Sequence, residues 1–380
     1  MLRRTLSIFL LFLLICTCAF AEDDDLEIED LIEYVPQASG PKLTLDDDGA
    51  VIMTITCTGD LTVGGDNYHR KDIFTPELNA HDGDINFTMQ NVRDILAADD
   101  LTLVNFEGTL TDTKYVPDSK KGNSFLFSIS PSYVSLLTDN SIEAVSLENN
   151  HVMDHGEEGY EDTKNTLREA GVIYSNSEEI GVFEFQDIRI AMLSYLCIDR
   201  YGKPFGGFDT FEEKVVHDIQ EAKKYYPLVI VSFHWGREPT SEQPSLGYIT
   251  TDNQIRLGRM AVDAGADLIV GHHPHRIQPI EMYNGKLICY SLGNFCFAGN
   301  SKPRDMSAFM LQIRYRIKMG SISYKDFRII PFRISSTRNR NDFIPTPFPV
   351  GSETDSILTT LRNNSKHLEY ALVDYPFEFQ

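Results

Sequence analysis

The sequence predicts an α/β protein of layered architecture. Short runs rich in Val, Ile, Leu and Phe alternate with polar stretches of helical periodicity through most of the chain, which is the pattern that alternating strands and helices produce. Hydrophobic residues make up 42% of 380 positions, ample for a sizeable core. The polar residues of chemical interest sit where predicted strands end, the edge at which α/β sheets bind ligands.

Taken in order, the chain begins with Leu2-Arg3-Arg4, an apolar run from Leu6 to Cys18, and Ala19-Phe20-Ala21. A charged start, a short hydrophobic region and a small-x-small end match a secretory leader over residues 1–21, with cleavage expected before Glu22. The expected location is therefore exported: extracellular or associated with the cell envelope. The run is short for a membrane span, although an uncleaved anchor stays open. Residues 22–48, from Glu22 through Asp46-Asp47-Asp48, read as an acidic, disordered linker. The net charge of −22 argues against nucleic acid as a partner, because a polyanion would be repelled. A folded domain is expected over 49–335. A Pro-rich passage from Pro345 to Pro349 marks the C-terminal extension, 336–380, whose tail is weakly helical.

Within the domain, strands are predicted at Val51 to Thr58, Leu101 to Asn105, Ala144 to Leu147, Ile188 to Tyr195, Leu228 to His234, Leu268 to Val270 and Leu287 to Leu292. Helices are predicted near Asn86 to Ala98, Gly159 to Ala170, Phe211 to Tyr225 and Asp252 to Ala264, the last closed by Gly265. A hairpin follows, Phe309 to Ile317 and Ser321 to Ile330. Cys57, Cys197, Cys289 and Cys296 are scattered, three of them inside apolar runs. They read as small buried hydrophobes rather than a disulfide framework or zinc knuckle.

The strand ends carry the chemistry. Gly59-Asp60 follows the first strand, where glycine permits a turn and the carboxylate points off the end. Asn105-Phe106-Glu107-Gly108 places a second carboxylate at the same edge. Asn149-Asn150-His151 with Asp154 precedes a helix, so these residues can bind a cation, relay a proton or cap that helix. His234 ends a very hydrophobic strand and precedes Trp235. His272-His273-Pro274-His275 follows another, and the chain then reaches Ser291-Leu292-Gly293-Asn294-Phe295. Asp60, Glu107, Asn150, His234, His273 and His275 make an oxygen and nitrogen donor set without thiolate. Such a set suits one or two divalent ions of Mn, Fe, Zn or Mg.

In this order the motifs resemble the CapA family, named for poly-γ-glutamate capsule synthesis. The resemblance spans about residues 50 to 335 and implies a calcineurin-like metallophosphoesterase fold, a four-layer α-β-β-α sandwich. It further implies Asp60 as a first carboxylate ligand, Glu107 as the bridging carboxylate, and Asn150 as the amide ligand. His234, His273 and His275 would be the imidazole ligands, with His272 a neighbour, and His151 the proton donor, oriented by Asp154. Two departures stand out. The wider superfamily has Asp-x-His where this chain has Asp60-Leu61-Thr62, and a bridging aspartate where this chain has Glu107.

The expected function is that of an exported, metal-dependent hydrolase in capsule or cell-envelope polymer synthesis. Its substrate would be an anionic polymer or phosphoester, held by Arg237 or Arg276, and its partners would include membrane-bound capsule synthesis proteins. Two other readings remain: a non-catalytic, polymer-binding export or assembly factor on the same fold, or a secreted phosphodiesterase or nucleotidase.

Overall fold

Two β-sheets face one another across an apolar interior in the computed structural model, which describes residues 43–65, 72–121, 125–198 and 210–380. The leader read over 1–21 and most of the acidic segment lie outside the described residues. No helix among those described is long and apolar enough to cross a membrane.

Among the described residues, one sheet has nine strands. Its main path runs Thr346–Pro347, Ser321–Arg333, Ser307–Lys318, Val51–Thr62, Leu101–Phe106, Ala144–Ser146 and Ile173–Ser175, with Thr44–Leu45 and Asn294–Phe297 also paired to Val51–Thr62. From Val51–Thr62 to Ile173–Ser175 the strands are parallel, while the hairpin joins antiparallel. The other sheet has six strands in the order Ile277–Tyr283, Lys286–Leu292, Leu268–His272, Leu228–Trp235, Ile188–Cys197 and Gly181–Phe185. Its central four are parallel and its two edges antiparallel.

Alternation of side chains explains the layers. In Leu228–Trp235, Leu228 and Ile230 point to the interior shared with Met53, Ile55, Leu103, Val270 and Cys289. Val229, Val231, Phe233 and Trp235 point outward, onto Val215 and Ile219 of the helix Phe211–Tyr225 and Leu257 and Ala261 of the helix Asp252–Ala264. A strand covered on both faces must be apolar throughout, which is why this run is so hydrophobic. The nine-stranded sheet is covered likewise, with Leu96, Leu136, Leu137 and Leu167 packed on Val104, Phe106 and Val145. The result is the four-layer α-β-β-α sandwich that the resemblance implied.

The helices Phe211–Tyr225 and Asp252–Ala264 match expectation residue for residue. Capping boxes, Thr210 with Glu213 and Thr251 with Gln254, fix where they start. The helix expected over Asn86 to Ala98 is instead broken into a 3-10 turn, Ile85–Met89, and a single turn, Arg93–Leu96. Asp84 caps the first by accepting from the Asn86 amide at 3.0 Å, and Asn91 and Val92, poor helix formers, separate the two. All four cysteines of the domain are buried, and Cys57, Cys289 and Cys296 are free thiols. Beyond residue 335, the helix Ser352–Asn364 adds Ile357 and Leu361 to the interior cluster, which Tyr375 also joins.

Candidate metal centre

Asp60, Glu107, His234 and His272 lie at or just past the C-terminal ends of parallel strands, and the residues that follow close over them. Asp60 is in place because its strand continues through it with a bulge between Cys57 and Asp60. Gly59 is accordingly not a turn glycine as expected. A Cβ there would stand 1.9 Å from the Gly293 carbonyl oxygen, so glycine is required because a second backbone crosses at that point. That same carbonyl accepts the Asp60 amide at 3.0 Å.

The six expected donors converge. Glu107 is 1% exposed and its two oxygens face different ways. Oε1 lies 3.5 Å from His234 Nε2, and Oε2 lies 3.9 Å from His275 Nδ1. Two groups of potential ligands result, Asp60, Glu107 and His275, and Glu107, His234 and His273, the donor atoms of each lying within 4.8 Å of one another. Asn150 adjoins the second group, its Oδ1 2.7 Å from His234 Nε2. In the first, Asp60 Oδ2 lies 3.0 Å from His275 Nδ1, and Asp60 Oδ1 accepts from Asn105 Nδ2 at 2.8 Å.

Protonation follows from these neighbours. Burial opposes the charge on Asp60, yet His272 and His275 beside it hold its carboxyl well below the usual range. Burial, with the Asp60 charge adding to it, pushes Glu107 up to about 7. Burial alone would lower His275, but Glu107 and Asp60 raise it to about 10. Burial brings His273 down to about 4, and burial with the neighbouring His273 lowers His234. The second group thus offers two neutral imidazoles, the form that binds metal. Glu107 Oε1 and His273 Nδ1 are moreover buried without a hydrogen-bond partner. Unpaired buried polar atoms are costly, and a divalent cation between these donors would satisfy them. The residues fit such an ion.

His151 stands beside the donors. Its Nδ1 lies 2.8 Å from Asp154 Oδ2, and Asp154 also accepts from Lys120 Nζ at 2.6 Å and from the Phe127 amide at 2.8 Å. Burial would lower the His151 pKa, but the Asp154 charge and hydrogen bond raise it. A cleft of about 320 Å³ opens here, lined by His151, His275, Glu238, Phe127, Arg276 and Arg304 among others. Arg276 donates to the His275 carbonyl at 2.6 Å, and Arg237, exposed, is absent from the cleft lining.

Several contributors had no individual role assigned from the sequence. Asn149 donates to Asn105 Oδ1 at 3.1 Å and to the Phe106 carbonyl at 2.9 Å, so the two asparagines divide the labour: Asn149 ties the loop down and Asn150 faces the donors. Asn294, flagged in the sequence without a role, sits 2.9 Å from His275 Nδ1 through its Oδ1. Lys120 reaches across 34 residues to Asp154.

The family model of the bacterial capsule synthesis protein PGA_cap matches residues 54–299. The PGA biosynthesis protein CapA of Bacillus subtilis (strain 168) is 32% identical over 298 residues, 74% of this chain and 72% of that protein. The capsule biosynthesis protein CapA of Bacillus anthracis is 28% identical over 321 residues, 80% of this chain and 71% of the relative. Among solved structures, the calcineurin-like phosphoesterase YfkN of Bacillus subtilis is similar at 15% identity and a TM-score of 0.39, covering 83% of this chain and 98% of that one. With a family model matched over most of its folded region and a relative at 32% identity across 74% of its length, the chain belongs to the bacterial capsule synthesis protein family.

Proposed function

We propose that this protein is an exported, metal-dependent hydrolase acting on an anionic polymer or phosphoester in capsule or poly-γ-glutamate synthesis. The observation that carries the reading is the pair of donor groups sharing Glu107, one carboxylate oxygen toward each. Asp60, Glu107 and His275 would hold one cation, and Glu107, Asn150, His234 and His273 the other. Bound divalent cations would supply activation of water and neutralisation of developing negative charge.

The chain's own residues supply the rest. His151 delivers a proton to the leaving group from Nε2, while Asp154 fixes the ring through Nδ1 and keeps the imidazolium favourable. Lys120 and the Phe127 amide hold Asp154 still. Arg276 and Arg304 line the cleft beside His151 and attract the anionic substrate. The leader pattern over residues 1–21 supports export, and the capsule setting follows from the family and from the names of the two CapA relatives.

The test combines elemental analysis of the purified protein with assays on phosphodiester and γ-glutamyl substrates. Two cations and turnover that falls in His151→Ala are expected. Thr62, whose hydroxyl donates to Glu107 Oε2 at 3.3 Å where the superfamily carries a ligand histidine, favours a second reading: a polymer-binding assembly factor. Bound metal with no turnover, unchanged by His151→Ala, would select it.

A further inference from the structure

We propose that His272 is a positioning residue for Asp60, and that through Asp60 it sets the cation affinity of the Asp60, Glu107 and His275 group. The inference rests on the metal-binding reading above. His272 is 1% exposed, and neither of its ring nitrogens has a hydrogen-bond partner. Buried imidazole nitrogens are rarely left so, and packing alone would be served better by an apolar side chain.

Its place in the strand says what the ring faces. In Leu268–His272, Leu268 and Val270 belong to the interior between the sheets and Ile269 to the outer layer, so His272 shares the inward side. There its Nδ1 comes within 3.5 Å of Asp60 Oδ1. That oxygen already accepts from Asn105 Nδ2 at 2.8 Å. The other, Oδ2, faces His275 Nδ1 at 3.0 Å and the His273 amide at 3.3 Å. The carboxylate is thus divided, with Oδ1 toward the scaffold and Oδ2 toward the donors. An N–H at His272 Nδ1, closing on Oδ1, locks its rotation; without it Asn105 alone holds that side.

This group has the most to gain from such a lock. Thr62, two residues past Asp60, is engaged with Glu107, so the ligand set comprises Asp60, Glu107 and His275. With few ligands, the orientation of each weighs more, and outer partners of ligands typically change metal affinity 10- to 100-fold.

The experiment is a titration of the metal-free, full-length protein with Mn²⁺ by calorimetry and with Co²⁺ by visible absorption. His272→Phe, which keeps a ring but removes the N–H, is expected to weaken one of two sites by roughly 10- to 100-fold and to alter the Co²⁺ spectrum, leaving the other site unchanged. His272→Gln, which keeps an N–H donor, is expected to recover much of that loss. Circular dichroism confirms folding, and if His272→Phe does not fold, His272→Ala takes its place. Two sites of wild-type affinity and spectrum in a folded variant without the N–H overturn the proposal, as does a glutamine variant no better than phenylalanine. Wild-type protein that binds neither ion fails differently: it overturns the metal reading, and this inference with it.

Discussion

Carboxylates gather at both ends of the parallel strands. At the C-terminal edge Asp60 and Glu107 are buried beside His234, His273 and His275. Ahead of the strands Leu101–Phe106 and Ala144–Ser146, Asp99, Asp100 and Glu143 are partly buried beside threonines. There Asp99 accepts from Thr102 Oγ1, Glu143 from the Thr102 amide and Asp100 from the Thr54 amide, each at 2.8 Å. Burial pushes Asp99 up to about 8 and raises Asp100 and Glu143 as well, whereas Asp60 is held low by the imidazoles beside it despite deeper burial. A buried carboxylate alone therefore marks nothing. At one end the acids serve backbone amides and strand starts; at the other, imidazoles, unpaired donor atoms and an adjoining cleft make the same chemistry a candidate site.

The two ends of the strands should differ most at Glu107, the residue shared by both groups. Glu107→Ala is expected to abolish binding of both cations and, with it, the several kcal/mol of charge stabilisation they supply, as elemental analysis and turnover would register. Retention of two cations would mean that the groups do not share this ligand. His151→Ala comes next: metal content unchanged, with turnover lower by about 10²- to 10⁴-fold. Equal loss of metal and activity would place His151 among the ligands instead.

Chelation gives a smaller effect. For a cation present at 100 times its dissociation constant, removal should lower stability by about 2.7 kcal/mol per site, measured by melting with and without chelator. An Asp99→Asn variant should lose the same amount, because its change lies at the other end of the strands. Asp99 itself gives an effect of pH that is independent of metal. Its folded-state pKa is raised, so its contribution to stability is complete below the unfolded value near about 3.9 and is lost as pH rises through about 8. Urea unfolding at pH 5 and pH 9 should therefore show Asp99→Asn gaining on the wild type as pH rises. A gain in the opposite direction would contradict the burial argument.

Much of this was legible in the sequence where local pattern and tertiary structure agree. The strand Leu228–Trp235 announced itself because both faces are covered, and the helices Phe211–Tyr225 and Asp252–Ala264 begin where they were read, each on a capping box. The strands Ile173–Ser175 and Asn294–Phe297 were not read, since each is only three or four residues long and gains its identity from a neighbour. Residues 86–98 looked helical by spacing but are divided at Asn91 and Val92, poor helix formers whose effect periodicity ignores. At the candidate site, residue types at strand ends pointed to the six donors. The reasons they are held in place, Gly293 crossing Gly59, Asn294 on His275 and Lys120 on Asp154, are contacts between distant segments. No local pattern encodes them.

Everything proposed for the site turns on two cations sharing Glu107. The most direct measurement is anomalous scattering from crystals of the protein soaked in Mn²⁺. Two peaks flanking Glu107 are expected, one also contacting Asp60 and His275, the other Asn150, His234 and His273. No peak among these residues, or a single ion without Glu107 as a ligand, would contradict it.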